Sequence, residues 1–419
     1  MSHLSNRRVV VTGMGCITPI GHDVDTFFRN LLDGVHGFGP ITKFDASDLK
    51  VSVVAEVKDF DPTVYMDKSE VKKTDLYAQY AIAAARQAVN SSGILGTVDP
   101  SRLGVYVGSG IGGIQTIMSE AKKLFDKGPS RISPFMIPMM ISNMAAALIA
   151  IAHQAQGPCL PVVTACATAT HAIGEAFRAI KHGYADAIIA GGAEAAIHPI
   201  SIGGFTSAMA LTTATDPDRA SIPFDAERSG FVMGEGSGIL VLEEYERAVA
   251  RGATIYAEIS GYGNSCDAHH ITAPQPEAIG VIRMLREAIE ESGIVPDRNL
   301  YFNPHGTSTP LNDKTETLAI KTLLSAYDAS LPHDVLISST KSMTGHLLGA
   351  AGGIEAIASI QTLRTGKVHP TCGYRVADPE CDLNYVTQGS VERPIDKAIT
   401  MSLGFGGHNA CLVFRKIDG

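Results

Sequence analysis

Short β-rich apolar runs alternate along the chain with longer stretches of helical period. Val9-Val10-Val11, Leu103 to Val107 and Leu300 to Phe302 read as strands, the second ending in the turn Gly108-Ser109-Gly110. Glu70 to Asn90 places Val71, Leu76, Tyr80 and Ala84 at helix-like spacing. Pro276 to Ser292 gathers Ile279, Ile282, Leu285 and Ile289 on one face, with Gly293 as its stop. Asp186 to Ala190 and Asp334 to Ile337 read as further buried strands, so the pattern predicts an α/β protein. Pro161 to Ala179 and Val335 to Leu363 share one plan: an apolar strand, a polar or small-residue turn, then an Ala/Gly-rich helix. No Pro- or Ser-rich linker separates them, which predicts two halves of similar build packed as one unit.

Composition narrows this picture. A chain of 419 residues with 45% hydrophobic and 18% charged residues buries a large core and is not a disordered chain. The formal net charge of -9 argues against wholesale nucleic-acid binding, while leaving room for a local basic patch that meets an acidic partner. The longest apolar run, Met144 to Ala152, is too short to span a bilayer. Met1 to Arg8 lacks the charged-then-apolar layout of a signal peptide, so a cytoplasmic protein without a membrane segment is expected.

The seven cysteines are scattered, with no CxxC pair and no Cys/His cluster at zinc spacing, so no metal site is expected. Most read as small buried hydrophobes. Cys166, in Pro161-Val162-Val163-Thr164-Ala165-Cys166-Ala167-Thr168-Ala169, falls where a strand should give way to a helix. Free backbone N–H groups and the helix dipole there favour a thiolate and should lower the thiol pKa. Two readings stay open on this motif alone, a core residue and a nucleophile.

Two further segments carry candidate chemistry. Asn303-Pro304-His305-Gly306-Thr307-Ser308-Thr309-Pro310 sets a histidine and three hydroxyls beside open backbone. Ser338-Ser339-Thr340-Lys341-Ser342-Met343-Thr344-Gly345-His346 runs into the Gly/Ala-rich stretch that holds Glu355. Glu355 lies nine residues past His346, which on an ideal helix is the opposite face, so it reads as a buried ion-pair partner of Lys341. Gly13-Met14-Gly15 and Gly108-Ser109-Gly110 look like dinucleotide loops, but neither completes GxGxxG, and nucleotide binding is rejected.

Taken together and in this order, these segments resemble the β-ketoacyl-acyl carrier protein synthases, and within them the elongating type II class of fatty-acid synthesis. The resemblance runs from Val9-Val10-Val11-Thr12-Gly13-Met14-Gly15 through Gly191-Gly192-Ala193-Glu194, Pro223-Phe224-Asp225 and Gly230 to Gly236, as far as Gly404-Phe405-Gly406-Gly407. It implies a thiolase-like fold of two pseudo-duplicated halves in five α-β-α-β-α layers. Residues 1-255 would carry the nucleophile and residues 256-419 the two histidines. It implies an acyltransferase that holds an acyl chain on Cys166, decarboxylates a malonyl thioester beside His305 and His346, and extends the chain by two carbons. No cofactor is implied beyond the phosphopantetheine arm of an acyl carrier protein, which would be the partner of a cytoplasmic homodimer.

Residue by residue, the resemblance implies that Lys341 and Glu355 set the charge and orientation of His346. It makes the amides of Cys166 and Phe405 an oxyanion hole, with Phe405 also gating access to the thiolate. Thr307 and Thr309 would bind the pantetheine amides, Ile111 and Phe205 would line the acyl pocket, and Lys68, Lys72, Lys73 and Arg131 would dock the carrier. The chain departs from the family pattern at Leu403, His408, Pro304 and Met209. A polyketide ketosynthase is the alternative reading. A chain-length partner would lack Cys166, and a thiolase would lack the paired histidines.

Overall fold

The computed structural model describes residues 7–417. Most of the Met1 to Arg8 segment therefore lies outside the described residues. Nine strands form one hydrogen-bonded sheet: β1 (Val9–Ile17), β2 (Leu103–Gly108), β3 (Ala187–Glu194), β4 (Gly236–Glu244), β5 (Ala257–Cys266), β6 (Leu300–Asn303), β7 (Leu336–Ile337), β8 (Lys397–Gly404) and β9 (His408–Arg415). Their order is β2-β3-β4-β1-β5-β9-β8-β6-β7. The pairing repeats about the centre. In one half β2 and β3 are parallel, and β4 and β1 follow antiparallel. In the other β6 and β8 are parallel, and β9 and β5 follow antiparallel. Only Val9 to Val11 of β1 pairs across to β5. Even the outermost strand has a counterpart: β7 lies parallel to β6, and Cys159 makes a parallel bridge to Val105 of β2.

Helices α1 (Leu76–Ser92) and α2 (Met144–His153) cover the outer face of the first half-sheet, and α4 (Ile279–Ser292) and α5 (Pro310–Ser325) that of the second. Between the half-sheets lie α3 (Thr168–Lys181) and α6 (Ala351–Thr365), which pack on strands of both. This is the expected five-layer, thiolase-like arrangement. All of α6 but its last two residues is buried, because it is a central layer with no solvent face. It crosses β4 so closely that a Cβ on Gly353 would stand 2.3 Å from the Gly238 carbonyl oxygen.

Glycines on β1 and β5 serve the same end. A Cβ at Gly13 or Gly15 would come 2.1 Å from carbonyls of α1, and one at Gly261 or Gly263 would come 2.1 and 2.0 Å from carbonyls of α4. These glycines let a helix lie against a strand in each half. They explain the nucleotide-like Gly13-Met14-Gly15 without a nucleotide.

Four sequence boundaries shift. The helix expected over Glu70 to Asn90 is two pieces, a single turn Lys68–Val71 and then α1, because the Asp75 side chain caps a new start by accepting the Tyr77 N–H. The helix expected from Pro276 begins at Ile279, after Ala278 in a left-handed conformation. Its buried face is Val281, Met284, Leu285, Ala288 and Ile289, while Ile279 is exposed. Asp334 ends a short helical turn, and the strand beyond it is only Leu336–Ile337. The strand expected from Pro161 is unpaired extended backbone past Leu160. Among the described residues no helix is long and apolar enough to cross a membrane.

Candidate active site

Cys166 sits in a single 3-10 turn, Ala165–Ala167, that leads into α3. Ala165 takes φ +50, an uncommon conformation for a residue with a side chain, and the Thr168 hydroxyl accepts the Thr164 N–H across the bend. The cysteine is 8% exposed and opens on a cavity of about 330 Å³ that His305, His346, Thr307, Thr309, Phe205, Phe231, Leu403 and Phe405 also line. The Cys166 sulfur and one nitrogen from each of His305 and His346 lie within 4.8 Å of one another. The two imidazoles meet edge to face, with centroids 5.1 Å apart.

Partners fix the tautomer of each ring. Lys341 Nζ lies 3.4 Å from His305 Nδ1 and donates to the His305 carbonyl at 2.7 Å. The Leu348 backbone N–H donates to His346 Nδ1 at 3.3 Å. An ammonium and an amide can only donate, so both Nδ1 atoms accept and both Nε2 atoms carry the proton. The Nε2 of His346 is buried with no partner. Burial, reinforced by the Lys341 charge, holds both imidazoles well below the ordinary value of 6.5 and keeps them neutral. The site therefore offers two neutral N–H donors beside a sulfur. That arrangement suits a developing oxyanion.

The thiol departs from expectation. Burial pushes Cys166 up to about 12, against the opposing pull of the Lys341 charge and of the Phe405 backbone N–H bonded to the sulfur. The fold outweighs the helix-start effect, because complete desolvation penalises the thiolate more than one short turn stabilises it. Gly404 makes the Phe405 contact feasible: its absent Cβ would stand 2.7 Å from the Thr164 carbonyl and 3.3 Å from the Cys166 amide nitrogen.

Lys341 and Glu355 form a buried ion pair, as the helix spacing indicated. The Lys341 charge does act on His346, but the expected role in orienting it needs correction. Lys341 bonds His305, whereas the orientation of His346 comes from Leu348, from its own amide to the Val232 carbonyl at 2.8 Å, and from the Phe231 ring. Thr307 and Thr309 share a hydroxyl bond of 2.9 Å on the cavity wall. Phe405 lies 6.1 Å from Phe205, centroid to centroid. Ile111 is not on the cavity wall; it packs into the apolar cluster of Cys166, Ile202 and Leu348 behind it. Leu403 is buried beside the cavity, His408 faces His171 at 6.2 Å, and Met209 stands exposed at the mouth. Lys68, Lys72, Lys73 and Arg131 are all exposed and unpaired among the described residues, with Lys73 Nζ 5.3 Å above the Phe135 ring.

Two buried carboxylates were invisible as site residues. Glu316 accepts the N–H groups of His305 and Gly306, and Asp313 accepts those of Thr307 and Phe224. Both project from α5 and hold the His305 loop in place. Their mark in the sequence was acidic residues in the first turns of a helix just after that loop, a pattern equally common on solvated surfaces.

Cys, His and His form a donor set that zinc accepts. Here, however, the rings present N–H rather than a lone pair at Nε2, and an ammonium stands beside one of them. Separately, Asn303 Oδ1, Thr400 Oγ1 and Glu355 Oε2 are buried without partners, and Asn303 faces Thr400 in the β6–β8 register.

The model of the β-ketoacyl synthase N-terminal domain matches residues 6–248, and that of the C-terminal domain residues 256–375. The chain is 51% identical to a 3-oxoacyl-[acyl-carrier-protein] synthase 2 of Synechocystis sp., covering 99% of this chain and 100% of that one. It is 49% identical to the protein of that name in Staphylococcus aureus, covering 99% of each. Among solved structures it resembles the ishigamide ketosynthase/chain length factor, with TM-score 0.90, 34% identity and coverage of 99% and 100%. It also resembles a type II polyketide acyl-carrier protein in complex with its ketosynthase, with TM-score 0.89, 33% identity and the same coverage.

Proposed function

The chain belongs to the β-ketoacyl synthase family, and on that premise we propose that it elongates acyl chains by decarboxylative condensation on Cys166. The observation that carries this reading is the meeting of the Cys166 sulfur with His305 and His346 within 4.8 Å in one cavity. Its higher identity to the 3-oxoacyl-[acyl-carrier-protein] synthases, 51% and 49% against 34% and 33% for the two ketosynthase structures, supports fatty-acid elongation.

In the first half-reaction the Cys166 sulfur attacks the acyl thioester on a carrier protein, the carrier thiol leaves with the proton, and an acyl-Cys166 thioester remains. The amides of Cys166 and Phe405 stabilise the tetrahedral oxyanion. Malonyl-carrier then loses carbon dioxide, and its enolate oxygen receives the two Nε2–H donors. The enolate carbon attacks acyl-Cys166, forming the carbon–carbon bond and expelling the thiolate, which takes up a proton. The balance is acyl-carrier plus malonyl-carrier plus H⁺, giving 3-oxoacyl-carrier, free carrier thiol and carbon dioxide. No step of this scheme calls for a redox cofactor.

In this reading Thr307 and Thr309 bond the pantetheine amides, Phe205 on the cavity wall bounds the acyl chain with Ile111 in the apolar cluster behind it, and Phe405 gates the sulfur. The cationic Lys68, Lys72, Lys73 and Arg131 suit an acidic carrier protein. A homodimer is supported by the open edge beyond β2. There the Leu160 N–H donates to Val105 on one side, while Leu160 and Val163 stand exposed on the other. A cytoplasmic setting accords with this partner.

Intact-mass measurement after incubation with acyl-carrier tests the nucleophile. An acyl adduct is expected in the native chain and none in Cys166→Ala; an adduct that survives the substitution overturns the assignment.

A further inference from the structure

Glu194 ends β3 with its side chain completely buried and no basic residue paired to it among the described residues. Burying a carboxylate without a counter-ion is costly unless hydrogen bonds replace its water. Here four do, and they come from only two places. Oε1 accepts the Ser109 hydroxyl at 2.7 Å and the Ile111 N–H at 3.2 Å. Oε2 accepts the Gly110 N–H at 2.9 Å and the Gly349 N–H at 3.0 Å. One side chain therefore clasps the Ser109-Gly110-Ile111 loop to the turn that follows His346.

Both clasped segments are shaped to this carboxylate. A Cβ on Gly110 or on Gly349 would stand 2.8 Å from Glu194 Oε2, so each glycine is required for the approach. Gly349 follows Leu348, which has φ +47 and whose amide sets the His346 tautomer. Ile111 packs with Leu348 in the apolar cluster around Cys166. The Ser109 hydroxyl also accepts the Gly112 N–H at 2.9 Å, closing the loop on itself.

We propose that Glu194 is a positioning residue that holds the acyl-chain loop at Ile111 in fixed register with the histidine-bearing turn. It touches neither substrate nor sulfur. Its effect is to tie the apolar cluster behind the acyl cavity to the turn that carries His346. This rests on the reading of the site as a condensing centre, in which Ile111 backs the acyl pocket from the apolar cluster behind the cavity wall.

The two oxygens have different partners, and that asymmetry supplies the test. In Glu194→Gln the amide nitrogen is tolerated only at the Oε1 position, where the Ser109 hydroxyl can turn to accept from it; the Ile111 N–H then loses its acceptor. The remaining oxygen keeps Gly110 and Gly349. Purified native chain, Glu194→Gln and Glu194→Ala are compared for condensation with short and long acyl-carriers and, separately, for malonyl-carrier decarboxylation. The long-to-short ratio of kcat/KM in Glu194→Gln is expected to shift roughly tenfold, the scale of one lost buried hydrogen bond, with a much smaller change in decarboxylation. Glu194→Ala is expected to lower both activities. A Glu194→Gln variant with native melting behaviour and an unchanged chain-length ratio overturns the proposal. A native chain that neither condenses nor decarboxylates overturns the underlying reading instead.

Discussion

The backbone N–H of Leu348 donates to Nδ1 of His346 at 3.3 Å, and this one bond leaves Nε2 as the proton-bearing atom of a ring whose Nε2 has no other partner. His346 is thereby a donor before any substrate arrives. Replacing it with alanine should lower malonyl decarboxylation by about 10²–10³-fold, while glutamine, which still donates, should recover part of the loss. Acylation of Cys166 should persist in both variants. Since burial holds His305 and His346 well below 6.5, the pH profile of decarboxylation should show no inflection near that value. A fall in rate as pH drops through 6.5 would contradict the neutral-donor assignment.

Lys341 and Glu355 are both almost fully buried and bonded to each other. Removing only Lys341, as in Lys341→Met, strands a buried carboxylate and should cost about 3–5 kcal/mol in denaturant unfolding. Lys341→Met with Glu355→Leu should regain much of that stability. Decarboxylation should stay low in the double variant, because His305 has lost the donor to its Nδ1.

Glu316 gives a pH signature of stability. Burial lifts it from its ordinary 4.5 to about 8, so between those values the folded chain keeps a proton that the unfolded chain has released. Its contribution is complete below about pH 4.5 and is lost as pH rises through about 8. Melting temperatures of the native chain should decline across that window relative to Glu316→Gln. Parallel curves would show that the carboxyl titrates at its ordinary value.

Gly404→Ala should abolish acylation while the chain still folds. The added methyl enters the space between the Thr164 carbonyl and the Cys166 amide, where the acyl oxygen must sit. Intact mass and circular dichroism of the same sample separate the two effects.

Charge reversal at Lys72 and Lys73 should raise KM for carrier-bound substrates by roughly tenfold at low salt and less at high salt. Small pantetheine thioesters should be unaffected. An equal loss with both substrate types would place these lysines outside carrier docking.

The two-half plan was legible because the chain writes it twice, in paired strand-turn-helix segments around Cys166 and His346 and in pairs of strand glycines. The reactive residues were legible for a related reason: nucleophile and imidazoles stand in turns of unusual composition. Electrostatic outcomes were not. The Cys166 motif suggested a lowered thiol pKa, whereas the sulfur is so thoroughly desolvated by layers distant in sequence that burial prevails. Lys341 was assigned to the neighbouring His346 in the chain, but its Nζ reaches His305 across the loop. Glu316, Asp313 and Glu194 were unreadable as supports because an acidic residue's worth depends on which backbone amides converge on it, and that is settled only by tertiary packing.

The crossing of Gly353 over Gly238 leaves no clearance for even one methyl group. A helix seated that tightly cannot slide along β4 as a piston, so accommodation of different occupants falls to side chains of the cavity wall such as Phe205 and Phe405. For anyone seeking to retune this protein, the latitude is thus unevenly distributed. Substitutions along the rim can reshape what is admitted, whereas the central helices form a foundation with almost no tolerance for added bulk.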